Sequence, residues 1–162
     1  MADRISPPPE GVDYPAWAWH TWEGKRKKPD LRSERWRNGW KGDLFACLEI
    51  DIPDRDVLLS DFDSWSIILL NSMICETEKE DLELQKLYES LDPDKQRQLQ
   101  DENWKRVFDL TPCDNGWITR GQSIQATFWE LRREQIRHVR FFMSATPKPA
   151  YLDDDGNIIP GM

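Results

Sequence analysis

The chain has 162 residues, 38% of them apolar and 32% charged, and a net charge of -8 at pH 7. That length fits one domain with a real core. No apolar run approaches the roughly 20 residues needed to span a bilayer. The N-terminus "MADRISPPPEGVDYP" lacks the apolar stretch of a signal peptide.

Nine tryptophans offer enough ring area for a few of them to anchor a core despite the polar average. Cys47, Cys75 and Cys113 are odd in number and have no CxxC spacing. Free thiols in a reducing cytoplasm are the expectation. With His20 and His138 the only histidines, no metal site is expected. Residues 23–42 carry eight Lys or Arg against three acids, a local net of +5. An acidic protein with one basic stripe is not a general nucleic-acid binder, yet the stripe suits a single anion such as a phosphate-bearing ligand.

Residues 1–13 read as a flexible arm. "YPAWAWHTW" alternates as a short strand over 15–20 with Trp17 and Trp19 on one face. The basic stripe follows as a loop. "DLFACLEIDIP" predicts a strand over 44–52, closed by Pro53. "RDVLLS" predicts another over 56–59, either paired with the first or forming one bent strand with it. "SDFDSWSIILL" then predicts a helix from Asp61 to Ile74, capped by Ser60 or Asp61. Its apolar residues run nearly all round, which predicts burial on most sides. Asp61 and Asp63 either start this helix or hold a ligand. About 200° of rotation separates them, so a division of labour is expected, with Asp61 capping.

Residues 76–103 hold ten acids and four bases and predict an amphipathic helix pair, the second capped by Asp92 with Pro93 at its first position. The charged run reads most simply as a solvated face. "DLTPCDNGW" reads as a loop. "SIQATFWEL" predicts a strand over 122–130 and "IRHVRFFM" another over 136–143, although "LRREQIRHVRFF" also has helical spacing. Residues 146–162 read as a loosely ordered tail. Trp17, Trp65 and Trp104 are expected to be mostly buried, and Trp36 and Trp40 more exposed. The fold class is therefore α+β: one domain over 14–145 with a small mixed or mostly antiparallel sheet, one buried helix and an acidic helix pair.

The blocks "YPAWAW", "KPDLR", "LLSDFDSW", "WKRVFDL" and "IQATFWEL" resemble, in order and spacing, those of an uncharacterised bacterial family of unknown function. The resemblance covers about residues 14–143. Ser66 stands where that family usually has histidine. Its members also begin with a further segment before the WAW block, which implies a shortened member here. A weaker resemblance links "IQATFWELRREQIRHVRFF" to ADP-ribosyltransferase-like domains, with Gln125 at the catalytic glutamate's position. Glutamine keeps a hydrogen bond but lacks the charge that stabilises an oxocarbenium-like transition state.

The expected function is a cytoplasmic domain that binds a small anionic or nucleotide-like ligand, with NAD as a candidate. Trp17, Trp19, Trp65, Asp61, Asp63, Gln125 and Arg32 would form the site, rings stacking and Arg32 forking onto phosphate. The alternative is a non-enzymatic module whose acidic helices over 76–103 meet a basic protein partner.

Overall fold

A computed structural model describes residues 4–29, 31, 42–144, 151–152 and 158–159. Arg32, Trp36 and Trp40 lie outside the described residues, as does the expected tail apart from two short strands. The architecture is α+β. Contacts cluster into two compact units, residues 1–27 with 53–130 and residues 28–52 with 131–162.

In the first unit, β1 (Ala16–Thr21) and β3 (Leu58–Asp61) flank β6 (Ile124–Phe128) in an antiparallel sheet. The helix α1 (Phe62–Leu69) leaves β3 directly. α2 (Glu78–Ser90) and α3 (Pro93–Trp104) follow, then a 3-10 turn over Lys105–Phe108 and a hairpin of β4 (Cys113–Asp114) with β5 (Thr119–Arg120). In the second unit, β2 (Leu44–Ile50) pairs with β7 (Ile136–Met143), and β8 (Tyr151–Leu152) with β9 (Ile158–Ile159). The five expected strands are present, but they divide between two sheets. β2 and β3 neither pair nor merge: β2 takes β7 and β3 takes β6.

The start of α1 sets the geometry of the first unit. Asp61 is the N-cap and is fully buried. Its Oδ1 accepts from the Ser64 amide at 2.8 Å, and its Oδ2 accepts from the Gly121 amide at 2.8 Å. The Phe62 amide donates to the Ser123 carbonyl at 2.8 Å. A single carboxylate thus caps a helix and holds the approach to β6. Gly121 has φ of 76°, and an added Cβ would lie 2.8 Å from the Leu110 carbonyl oxygen. Only glycine fits there.

α1 ends at Leu69, with Leu70 as C-cap, short of the expected Ile74. Its burial is one-sided. Ile67 and Ile68 pack with Trp65 against the core of Ile74, Val107 and Ile118, whereas Leu69 and Leu70 are 82% and 77% exposed. The reversal at Asn71, with φ of 58°, turns the chain away and leaves those leucines uncovered.

Segment 71–76 has no strand partner, so its backbone groups need side-chain partners. α3 supplies them from one face. Gln100 donates to the Asn71 carbonyl at 3.1 Å, and Trp104 Nε1 to the Ser72 carbonyl at 2.9 Å. Asn103 accepts from the Ile74 amide at 2.7 Å and donates to its carbonyl at 3.0 Å. Residues 100, 103, 104 and 107 share a helical face at i, i+3, i+4 and i+7, so the amides sit beside the core residue Val107. The expected solvated run is partly an internal brace.

Ion pairs extend that brace. Arg106 pairs with Glu80 at 2.7 Å, and this bond holds the Glu80 carboxyl below the usual range. Arg120, 4% exposed, meets Glu76 at 2.7 Å and Asp109 at 3.2 Å and donates to the Thr111 carbonyl at 3.0 Å. Burial, then the Asp81 charge, pushes the Cys75 thiol up to about 12, so it is an unreactive packing group. Caps fall as expected at Asp92, which accepts from the Lys95 amide at 3.0 Å with Pro93 next. Thr77 caps α2.

Replacing Asp61 with alanine removes a cap and strands a buried donor at Gly121. The expected cost is roughly 2–4 kcal/mol in urea unfolding. Asparagine, a good cap elsewhere, retains one acceptor and turns an N–H against the second donor. Asp61→Asn should therefore also destabilise, by about 1–2 kcal/mol, and a value near zero would contradict the two-bond role.

Candidate functional site

Residues directly opposite in an antiparallel pair share a sheet face. Trp17 lies opposite Thr127 and Trp19 opposite Gln125, while Ser60 lies opposite Gln125 on the other side of β6. Trp65 Nε1 donates to Ser60 Oγ at 2.9 Å. The sheet thus brings Trp17, Trp19, Gln125 and Trp65 to one face. Asp61 lies opposite Ile124, on the other face, and both of its oxygens are engaged as described.

Trp19 is the hub of an aromatic cluster. Its ring lies edge-on to Trp17 at 5.5 Å, to Trp22 at 4.4 Å and to Phe62 at 5.0 Å. Trp22 is held by a two-residue hairpin turn: its amide donates to the Lys25 carbonyl at 3.0 Å, and the Lys25 amide donates back at 3.0 Å. Glu23 and Gly24 have φ of 49° and 68°, the positive values a type I′ turn requires. Trp22 and Phe62 escaped the sequence reading. Phe62 belongs to the SDFDSW block, and its ring meets the WAW strand only through the fold.

Trp17 is 56% exposed, not mostly buried as expected. Among the described residues β1 is an edge strand with one neighbour, so its first tryptophan finds Trp19 on one side and solvent on the other. Trp65 and Trp104 are half-buried, each with its indole N–H turned to an oxygen, as a ring with one polar end prefers.

Asp63 is half-buried, and among the described residues no hydrogen bond or ion pair engages its carboxylate. Burial and then the neighbouring Asp61 charge raise its pKa above the ordinary value. His20 stands in β1 with Nδ1 2.9 Å from Thr21 Oγ1, and burial, then Arg26, lowers its pKa. Two grooves lie elsewhere in this unit. One of about 260 Å³ is lined by Met73, Asp81, Leu84, Tyr88 and Gln100, and another of about 510 Å³ by Tyr88, Gln96, Arg97 and Trp104. Neither includes a residue of the WAW face.

The fold and this face define a small α+β protein with an aromatic, amide-bearing sheet surface. The chain belongs to the family described as Domain of unknown function (DUF3841), whose model matches residues 1–137. No curated protein and no solved structure matches, so the likeness to ADP-ribosyltransferase-like domains has no support from them. Among the described residues no helix is long and apolar enough to cross a membrane.

The raised pKa of Asp63 has a testable sign. Its ionised form is disfavoured in the fold, so stability is full below the unfolded carboxyl value and falls as pH rises through the folded one. Asp63→Asn removes that penalty. The variant should melt above the wild type at pH 7, with the difference shrinking below about pH 4. A lower melting temperature at pH 7 would show that the charge is compensated.

Proposed function

We propose that the first unit binds a small nucleotide-like ligand on the face carrying Trp17, Trp19 and Gln125, in a cytoplasmic protein. The observation that carries this reading is the cross-strand pairing of Trp19 with Gln125 beside a Trp17 ring that is 56% exposed. An exposed tryptophan edge-on to a fixed one offers a stacking surface at little entropic cost. The glutamine amide beside it supplies one acceptor and two donors for a base edge or a sugar hydroxyl. Asp63, left without a partner at some cost in stability, is the carboxylate available for a ribose hydroxyl.

The proposed role of this face is binding, without a reaction. The rival surface over 76–103 is weakened as a docking site for a basic protein, because its acids are widely engaged within the chain. Glu76 meets Arg120, Glu80 meets Arg106, and Asp92 meets Lys95.

A thermal-shift series with NAD, ADP, AMP and ribose 5-phosphate tests the reading. A ligand at 100 times its dissociation constant stabilises the native state by about 2.7 kcal/mol. At least one nucleotide should raise the melting temperature. Trp17→Ala should abolish that rise and leave the ligand-free melting temperature nearly unchanged, since Trp17 is largely exposed. No shift with any of the four at millimolar concentration, or a shift that survives Trp17→Ala, would overturn the assignment.

A further inference from the structure

The second unit carries a surface that the ligand reading does not use. β2 and β7 pair with Leu44 opposite Met143, Ala46 opposite Phe141 and Leu48 opposite Val139. These six residues share one face, and all are apolar. Leu44 is 68% exposed, Leu48 41%, Val139 45%, Phe141 71% and Met143 69%, and Ala46 is also exposed. The reverse face holds the stacked Phe45 and Phe142 rings at 5.6 Å, with Cys47, Glu49, His138 and Arg140. Every charge of the paired positions is therefore kept off the exposed apolar face.

We propose that this face is a homodimer interface, where two copies pack β2–β7 ribbons across a twofold axis parallel to the strands. Such an axis sets β2 of one copy over β7 of the other. Leu44 then meets Met143 of the partner subunit, and Leu48 meets Val139 of the partner subunit. At the centre the large Phe141 ring sits over the small Ala46 of the partner subunit, and the reverse contact repeats it. The register thus makes the face complementary to itself, as an isologous contact requires. Two sheets stacked this way lie about 10 Å apart with interdigitated side chains.

The area also fits. At roughly 150–250 Å² for a large side chain, the exposed fractions amount to on the order of 600 Å² per chain. That is at the upper end of the patches monomers carry, about 300–600 Å², and approaches the roughly 800 Å² per partner of a stable interface. A two-stranded ribbon is also marginal alone, and a second layer over its apolar face supplies what it lacks.

Sedimentation velocity on the full chain tests this. The wild type should sediment at twice the 19.2 kDa of one chain. Phe141→Glu should weaken association about 100-fold or more and give the single-chain mass. Ala46→Lys, which fills the recess that receives the partner's ring, should do the same if the glutamate variant fails to fold. Glu49→Gln on the reverse face should stay dimeric. A wild type at the single-chain mass at about 100 μM, with the face covered by its own chain or left bare, overturns the proposal. So does a dimer that survives both Phe141→Glu and Ala46→Lys.

Discussion

One buried carboxylate joins the parts of the first unit. Asp61 closes β3, caps α1 through the Ser64 amide and holds the Gly121 amide. Remove it and three things loosen together: the helix start, the chain leading into β6, and the face that β6 shares with Trp19. Both acceptors of the carboxylate are used, because each oxygen takes one of the two amides.

This dependence follows from how small the apolar core is. Among the described residues, the buried hydrophobic positions are Ile74, Cys75, Val107, Ile118 and Phe128. Fully burying a large aliphatic side chain contributes about 1.5–3 kcal/mol, so a handful leaves much for polar bonds to specify. Asn103, Arg106 and Arg120 meet that need by fixing the backbone of 74–76 and its flanking acids. Polar groups buried in this way are costly when half-satisfied, and Asn103, Arg106 and Arg120 each hold more than one partner. Ser64 Oγ stands out as a buried group with none.

The caps and alternating strands were legible in the sequence because their signals are local. Asp61, Asp92–Pro93 and the alternation in β6 and β7 each occupy a few consecutive residues. The helical spacing in 131–142 competed with β7, but a 3-10 turn over Arg133–Gln135 absorbs its start. The hairpin of β4 and β5 was not legible, since strands of two residues carry no period. Its turn rests on Asn115, whose Oδ1 accepts from the Trp117 and Ile118 amides at 3.0 Å each. The polar brace was hidden for a different reason. The bonds from Asn103 and Trp104 to segment 72–74 span 29 and 32 positions and the Arg120–Glu76 pair spans 44, and a charge count over 76–103 averages them into a solvated face. Of the expected site residues, Trp17, Trp19 and Gln125 share a sheet face by strand register, and Trp65 joins them through Ser60. The exposure of Trp17 depends on β1 being an edge strand, which only the sheet order reveals.

The Asp61 carboxylate is the link between α1 and the approach to β6, and native-state amide hydrogen exchange reads that link at its two donors. The Ser64 and Gly121 amides should exchange only through large-scale unfolding of the first unit, at rates close to that of a β6 amide such as Ala126. In Asp61→Ala, both should exchange faster by more than Ala126 does, because local opening no longer breaks a charge-assisted bond. Exchange of either amide at an exposed-loop rate in the wild type would contradict the account.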